Sequence, residues 1–376
     1  MTRYFPGSSE SWERIDPRDA GFDADGLKAA SDFAIANEST MDRDIRRALD
    51  NDLFGEPEGL RDVIGITRPR ADPHGMILKG GRIVHEWGDT TRPDITFSIA
   101  KSYLSICAGL ALDDGLIPSF DRPVAELVDD GGFDDAQNKP ITWAQLLQQT
   151  SEWQGTLWSK PDWIDHNRDL DAQAGEGTLK GKPRDMQTPG TFWEYNDVRV
   201  NRLALALLRV WRRPLPEVVK ERIMDPIGAS TGWEWHGYEN SWVDIDGKKI
   251  QSVSGGSHWG GGMFISSRDQ ARTGLLLSRG GAWNGKQLIS GNYIGQATAP
   301  CPINADYGYL WWLNGEGGSA PSAPRTSYFA KGKGSSVIWV DPELDMVAVV
   351  RWIERDAFDG FCAAVMDASW GDVRVC

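Results

Sequence analysis

A serine and a lysine stand one helical turn apart in an apolar part of the sequence. Ser98 and Lys101 lie in residues 96–112, where apolar side chains recur at helical spacing, so we predict a buried helix that begins near Ser98. Side chains at positions i and i+3 share one face, which brings an amine within hydrogen-bond reach of a hydroxyl. Burial favours the neutral form of a lysine, which can then accept the serine proton. The pair therefore predicts a serine nucleophile with a lysine base.

The same four residues also have a purely structural explanation. A serine at the start of a helix is commonly an N-cap, and Ser-x-x-Lys arises by chance about once in a chain of this length. The context favours chemistry, because a lysine in the first turn of an apolar helix lies at the positive end of the helix dipole and is poorly placed as a surface charge. No other Ser-x-x-Lys occurs in the sequence.

A second cluster, residues 188–197, reads as a turn, a short extended piece and a helix start, with Asp197 as the expected cap. It carries Tyr195. A phenol beside a cationic lysine loses its proton more easily, so Tyr195 can move a proton between nucleophile and leaving group. A core tyrosine with a bonded hydroxyl is the structural alternative.

A third cluster, residues 329–334, is rich in glycine and precedes a strand. Acyl transfer needs two backbone N–H groups that face the developing oxyanion. A strand edge beside the start of the Ser98 helix can supply one of them, and Ser98 itself the other. A simple turn or hairpin is the alternative.

Taken in order, the three clusters resemble the penicillin-recognising serine hydrolases, which include class C β-lactamases, DD-peptidases, family VIII carboxylesterases and 6-aminohexanoate-oligomer hydrolases. The chain is most similar to the esterase and amidase branch, through residues 259–263, 267–269 and 330–342, and the likeness covers about residues 72–355. The resemblance implies a β-lactamase/transpeptidase-like fold. It also implies that Ser98 is acylated, that Lys101 is its base and that Tyr195 passes the proton on, while the backbone N–H groups of Ser98 and Lys333 form the oxyanion hole.

Two positions depart from the family pattern. Asp197 stands where the family usually has asparagine, and Ala330 stands where it usually has a cation. The carboxylate of a β-lactam or of a D-Ala-D-Ala peptide would meet Asp197, which counts against those substrates. Lys331, beside Gly332, supplies the missing charge if the register shifts by one residue. We therefore treat Asp197, Lys331 and Gly332 as candidate substrate-binding residues.

Further pocket candidates come from aromatic side chains. The sequence holds 18 tryptophans, well above ordinary usage, and several fall in polar or glycine-rich segments where they can form walls of a cleft. A lone histidine or tryptophan is more often a packed or surface residue. The residues expected to line the pocket are Trp158, Trp163, His166, His258 and Trp259.

Composition and spacing exclude several classes of function. The net charge of -14 argues against nucleic acid or an anionic membrane as partner. There is no long apolar run and no signal-peptide pattern at the start, so we expect a cytoplasmic protein. The four cysteines, Cys107, Cys301, Cys362 and Cys376, lie far apart, and the histidines lack ligand spacing, so we expect neither a disulfide framework, nor a metal, nor another cofactor. No coiled-coil heptads indicate a partner chain.

The pattern of elements predicts an α+β fold. We expect a helix over residues 25–37, a second near 41–51, a hairpin over 75–88, strands over 309–313, 335–340 and 346–352, and a closing helix over 357–369. Strands at both ends of the chain imply an antiparallel sheet whose first and last parts meet. We divide the chain into a sheet domain, residues 1–112 and 233–376, and an inserted all-helical lobe, residues 113–232.

Three functions remain open at this point. The first is a serine hydrolase that cleaves a small ester or amide through an acyl-enzyme, with a β-lactamase or DD-peptidase activity as a variant of it. The second is a catalytically silent binding protein on the same scaffold, which the altered second and third clusters favour. The third is a carbohydrate enzyme with tryptophan platforms, although no pair of carboxylates is singled out by spacing.

Overall fold

The computed structural model describes residues 3–8, 11–170 and 179–370; Cys376 lies outside them. The helices are α1 Ala24–Ala36, α2 Ile45–Asp50, α3 Ile99–Asp113, α4 Trp143–Leu147, α5 Asp197–Trp211, α6 Leu215–Val219, α7 Ser267–Ser278, α8 Gly291–Ala297 and α9 Phe358–Asp367. The strands are β1 His74–Lys79, β2 Arg82–Trp87, β3 Asp94–Ile95, β4 Thr156–Leu157, β5 Lys160–Pro161, β6 Glu234–Ile245, β7 Lys248–Val253, β8 Gly262–Ile265, β9 Ala282–Trp283, β10 Lys286–Gln287, β11 Trp312–Leu313, β12 Tyr328–Gly332, β13 Ser336–Asp341 and β14 Met346–Arg351.

The largest sheet joins the two ends of the chain. Its strand order is β11-β12-β13-β14-β1-β2, and every neighbouring pair is antiparallel. β1 pairs with β14 from His74 opposite Arg351 to Lys79 opposite Met346. The predicted α+β class is confirmed, as is the meeting of the first and last strands.

Side chains of this sheet alternate between two apolar layers, because successive residues of a strand point to opposite faces. Ile338 and Val349 belong to the core that contains α3 and α7. Trp339 and Val350 belong to the core that contains α1 and α9. The helix that begins after Ser98 therefore lies against one face of the sheet.

The helices of residues 113–232 share the core of α3. Leu203 of α5 and Val218 of α6 belong to the same apolar cluster as Ile106 and Ile338, so one continuous core crosses the predicted boundary. Thr142 caps α4 through a capping box, as its position before an apolar run predicts. The division into a sheet domain and a helical lobe stays a proposal.

A smaller antiparallel sheet has the order β3-β8-β6-β7. Its long β6–β7 hairpin was not predicted, although Asp246 and Gly247 form the Asp-Gly turn that is a strong hairpin signal. The glycine-rich loop of residues 254–261 connects β7 to β8, and β8 pairs with β3 immediately before Ser98. This sheet brings the loop and the start of α3 together.

Several predicted elements differ in their bounds. The predicted strand over 309–313 is reduced to Trp312–Leu313, and the second helix to Ile45–Asp50. The first and last helices, the 75–88 hairpin and the strands β13 and β14 are confirmed within a few residues. Asp197 was wrongly expected to cap α5: the side chain of Asn196 accepts from the Arg199 N–H, and Asp197 is the first helical residue.

Within the described residues, no helix combines the length and the apolar character needed to cross a bilayer.

Candidate active site

Ser98 stands at a sharp turn between β3 and α3. The preceding residue, Phe97, has φ of 49°, in the left-handed region that a bulky side chain rarely adopts. Its fully buried ring packs edge to face with Phe54 and Trp352, which holds the backbone in this conformation. Such strain is concentrated at functional sites. The turn leaves Ser98 partly exposed at the head of a buried helix.

The structure brings together the three residues that were predicted to carry the chemistry. Lys101 Nζ donates to Ser98 Oγ at 2.9 Å. The same ammonium nitrogen lies 4.8 Å from the centroid of the Tyr195 ring. Lys101 and Tyr195 are both buried, so water does not separate them from the serine hydroxyl as it would on a surface. The arrangement can pass a proton from a serine to an amine.

Asp197 is the direct partner of Lys101. Its Oδ1 accepts from Lys101 Nζ at 2.6 Å, and its Oδ2 accepts from Arg168 at 2.6 Å. The backbone N–H of Asp197 donates to Asp165 Oδ2 at 2.8 Å. The carboxylate that replaces the family's asparagine thus joins the lysine and an arginine in one buried group of charges.

The electrostatics of this group keep its acids ionised. Burial by itself raises the pKa of the Asp197 carboxyl, but Lys101, His258 and Arg168 outweigh it and hold the pKa well below its usual range. Burial likewise raises the pKa of Asp165, and nearby cations, Arg168 foremost, lower it further than burial raises it. Both side chains are therefore carboxylates at neutral pH.

His258 joins the group through Asp197 and Glu56. Its Nδ1 lies 3.0 Å from Asp197 Oδ2, and its Nε2 lies next to Glu56 Oε1. Both contacts lie off the line of an ideal N–H···O bond. The ring is 2% exposed and stacks on Phe54, with the ring centroids 3.9 Å apart.

One set of side chains in the described part of the chain has the spacing of metal ligands. Ligand atoms of Glu56, Asp165 and His258 lie within 4.8 Å of one another. Lys180 Nζ already lies 3.0 Å from Glu56 Oε1 and 3.3 Å from Asp165 Oδ1. Because the chain's own ammonium supplies the positive charge at this point, we assign no metal to the cluster.

The end of β12 lies against the start of α3. A Cβ on Gly332 would overlap the carbonyl oxygen of Thr96 and lie 3.4 Å from the amide nitrogen of Ser98, so only glycine fits. Lys333 follows in the β12–β13 turn. Among the described residues, no acceptor takes the backbone N–H of Ser98 or of Lys333. Both N–H groups are thus free to meet a ligand oxygen.

Lys331 does not reach this site. It occupies the face of β12 opposite to Gly332, where its Nζ donates to the Ser319 carbonyl and lies over the rings of Phe329 and Phe358. Alternation along the strand causes this, since residues 331 and 332 point to opposite faces. The proposed shift of register, with Lys331 as the third-cluster cation, is wrong.

The other pocket candidates are dispersed. His166 is buried and its Nε2 pairs with Asp162 Oδ2 at 3.0 Å, in a separate group of charges. Trp259 is 1% exposed and packs under Lys160, so it is a core residue. Trp158 packs against the core formed by α5 and the β6–β7 hairpin, and Trp163 is 39% exposed. Of the predicted substrate-binding residues, Asp197, His258 and Gly332 lie next to Ser98 and Lys101.

Four of the charged residues found here carried no recognisable signal in the sequence: Glu56, Asp165, Arg168 and Lys180. Asp165 and Arg168 are three residues apart and their side chains approach to 3.5 Å, but such pairs are common on surfaces. Glu56 lies far from the others in the chain. Only tertiary packing brings it to His258.

The beta-lactamase family model matches residues 76–353, well over half of the chain. An uncharacterized protein of Alkalihalophilus pseudofirmus is 22% identical over 285 residues, which are 70% of this chain and 74% of that protein.

Solved structures share the architecture at low identity. One is EstCE1, described as a hydrolase with promiscuous acyltransferase activity, with a TM-score of 0.58, 14% identity, and coverage of 93% of this chain and 98% of the other. Another is a family VIII carboxylesterase, with a TM-score of 0.57, 17% identity and the same coverage. At these identities, the two likenesses show the fold alone.

Proposed function

This chain belongs to the beta-lactamase family, within the penicillin-recognising serine hydrolases, and from that membership we propose that it cleaves a small ester or amide through an acyl-enzyme on Ser98. The observation that carries the proposal is the 2.9 Å contact between Lys101 Nζ and Ser98 Oγ at a partly exposed helix start. A serine is a weak nucleophile unless a neighbouring base accepts its proton, and this contact supplies the base.

Acylation begins with Lys101 as an uncharged amine: Ser98 Oγ attacks the substrate carbonyl carbon, and the hydroxyl proton moves to Lys101 Nζ. The bond from that carbon to the leaving oxygen or nitrogen then breaks. Tyr195 gives its hydroxyl proton to the leaving group and regains one from Lys101, whose nitrogen lies 4.8 Å from the phenol ring centroid. Deacylation reverses the roles. Water attacks the acyl carbon and loses a proton, which passes by way of Tyr195 to Lys101. Lys101 returns a proton to the Ser98 oxygen as that oxygen leaves the acyl carbon.

The tetrahedral intermediate of each half carries a negative oxygen. The N–H groups of Ser98 and Lys333 are the proposed pair of donors, and the close packing of Gly332 against the Thr96 carbonyl and near the Ser98 amide nitrogen supports this assignment. An additional side chain at position 332 would separate them. This close packing supports the oxyanion hole proposed from the sequence.

Asp197 is less of an obstacle to anionic substrates than the sequence implied. The carboxylate is 2% exposed and is shared by Lys101, Arg168 and His258, so its charge is compensated before a substrate arrives. The stronger reason to place esters and amides ahead of β-lactams is that Ala330 offers no cation. The proposed substrate therefore needs no carboxylate at that position.

One observation favours the second candidate, a catalytically silent binding protein. Lys101 Nζ forms a 2.6 Å ion pair with Asp197 Oδ1, and an ammonium in such a pair has no lone pair with which to accept a proton. A protein that keeps this pair closed would bind ligands without cleaving them.

The test is covalent labelling with a fluorophosphonate, followed by peptide mapping. We expect one equivalent of label on Ser98 in the wild type and none in Ser98→Ala. Ser102→Ala is the matched control, because Ser102 lies on the same helix, is buried and donates to the Leu310 carbonyl. We expect it to label as the wild type does.

Turnover is then measured on nitrophenyl esters, anilides and a chromogenic cephalosporin with the same three proteins. Hydrolysis of any ester or anilide that depends on Ser98 supports the proposal. Hydrolysis of the cephalosporin alone would move the assignment to a β-lactamase. Full activity in Ser98→Ala, or tight ligand binding without labelling of the wild type, contradicts it.

A further inference from the structure

The loop that carries His258 is built around the Lys101–Asp197 ion pair. A Cβ on Gly256 would overlap Asp197 Oδ1 and lie 2.6 Å from Lys101 Nζ, so the loop backbone packs directly on the pair. Two residues later, the His258 ring reaches Asp197 from the other side, with Nδ1 3.0 Å from Oδ2. His258 is buried, with 2% of its surface exposed.

The charged groups joined to His258 by ion-pair contacts form a set of six. Three are carboxylates: Asp197 at the start of α5, Asp165 before it, and Glu56, which touches His258 Nε2. Three are cations: Lys101 and Arg168, which bind Asp197, and Lys180, which binds Glu56 and Asp165. Within this paired set, three negative charges equal three positive ones when the imidazole is neutral. Two more cations lie further out, on the rings that pack against His258: Lys333 over Phe54 and Lys160 over Trp259.

That balance restricts the chemistry of Lys101. To accept the Ser98 proton, Lys101 must first be an uncharged amine, which leaves three carboxylates against two cations in a buried site. An uncompensated buried charge is strongly unfavourable. One more proton must be held nearby, and the His258 imidazole is placed to hold it, because its two nitrogens face the carboxylates of Asp197 and Glu56.

Resting on the proposed function, we propose that His258 is a positioning residue that shares one proton with Lys101 across Asp197. When the proton is on Lys101, the site is at rest. When it is on His258, the imidazolium pairs with Asp197 and Glu56, and Lys101 is free to take the serine proton. The net charge of the cluster is the same in both forms. Sharing the proton with His258 explains how Lys101 can act as a base although it is ion-paired with Asp197.

The test follows the rate of Ser98 labelling by a fluorophosphonate as a function of pH, which needs no knowledge of the natural substrate. In the wild type, the pH of half-maximal rate marks the step in which Lys101 and His258 together go from two protons to one. In His258→Gln, Lys101 must lose its proton without help. We expect the half-maximal pH to rise by about one unit or more, which lowers the rate at neutral pH about tenfold, while the limiting rate at high pH is unchanged.

Two further variants keep the test decisive. Glu56→Gln removes the second carboxylate of the imidazolium and should shift the profile in the same direction by less; it replaces His258→Gln if that variant does not fold. His74→Gln is the control, because His74 is equally buried but its ring pairs with the Asp72 carbonyl, in the main sheet. It should keep the wild-type midpoint.

The outcomes separate this inference from the proposed function. If the wild type is labelled and the pH of half-maximal labelling is the same in His258→Gln, the role of His258 is overturned and the proposed hydrolase function stands. An equal shift in His74→Gln also overturns it, since any buried histidine would then produce the effect. Absence of labelling in the wild type removes the proposed function and this inference with it.

Discussion

Two groups of buried charges lie on either side of the start of α5, and they are built differently. The Lys101 cluster consists of Lys101, Asp197, Arg168, His258, Glu56, Asp165 and Lys180. The Arg199 cluster consists of Arg199, Arg184, Glu152, Glu194, Asp162 and His166. Only the first touches Ser98.

In the Arg199 cluster, two arginines saturate one glutamate. Arg184 and Arg199 each contact Glu152 Oε1 at 2.6 Å, and the Gln187 N–H donates to its other oxygen at 2.8 Å. A guanidinium stays charged at any working pH and binds carboxylates with a fixed fork. The cluster ties residues 152–199 together and has no group placed to exchange a proton with the nucleophile.

In the Lys101 cluster, the groups at the centre are a lysine and a histidine, whose protonation states respond to their surroundings. Atoms of Glu56, Asp165 and His258 have no aligned hydrogen-bond partner among the described residues, although they are buried. The comparison teaches that the cluster centred on arginines serves architecture, whereas the cluster with a lysine and a histidine at its centre lies beside the proposed nucleophile. The predictions below test that division.

The largest effect should come from Lys101→Met. Loss of the general base should lower the rate of fluorophosphonate labelling at Ser98 by about 10²- to 10⁴-fold. Lys160→Met is the matched control: Lys160 is also buried, but its ammonium donates to the Leu60 carbonyl. Labelling of Lys101→Met at the wild-type rate would show that the base lies elsewhere.

Arg199→Met should break the other cluster. It leaves Glu152 and Asp162 short of a buried cation, and removing one partner of a buried ion pair destabilises by about 3–5 kcal/mol. Urea unfolding measures this loss. The midpoint of the labelling profile with pH should not move in the protein that remains folded. A variant as stable as the wild type would contradict the architectural role.

Asp197→Asn should make the free energy of unfolding less dependent on pH in the acid range. The folded pKa of Asp197 is held below its unfolded value near 4, so its contribution is complete above about pH 5 and is lost as the pH falls through the folded pKa. We expect the variant to be less stable than the wild type by about 2 kcal/mol at pH 7, and by less at pH 3.5.

Urea unfolding at the two pH values measures the difference. Asp32→Asn is the control, since that exposed carboxylate pairs only with Lys28 on the surface of α1, and it should change stability by less than about 0.5 kcal/mol. A gap between wild type and Asp197→Asn that is independent of pH would argue against the depressed pKa.

His166→Gln should have the smallest effect. The ring contacts Asp162 at 3.0 Å, and a glutamine amide can still donate there, so we expect a loss of about 1 kcal/mol or less in the free energy of unfolding. The pH midpoint of Ser98 labelling should stay at the wild-type value. A shift like the one expected for His258→Gln would erase the distinction between the two clusters.

Local patterns predicted most of the fold. The helical period placed Lys101 on the same face as Ser98, and the short β-rich runs of β1, β2, β13 and β14 identified the sheet. The β6–β7 hairpin was missed although its Asp-Gly turn was visible. Asp197 was taken for a helix cap because carboxylates are common caps, but its side chain is bound to Lys101 and Asn196 takes that role.

The sequence by itself determined the contact between Ser98 and Lys101, since both belong to one turn of one helix, where local geometry fixes distance. Tertiary structure alone decided which charges surround that contact. Glu56, Asp165, Asp197 and His258 come from four separate segments, and their approach depends on how α5 and the residue 254–261 loop pack over α3. The tertiary structure also decided that Lys331 faces away from the site, because the register of a strand in the sheet sets which face each side chain occupies. Buried charges interact through space, and a linear pattern carries no record of which ones will share a low-dielectric interior.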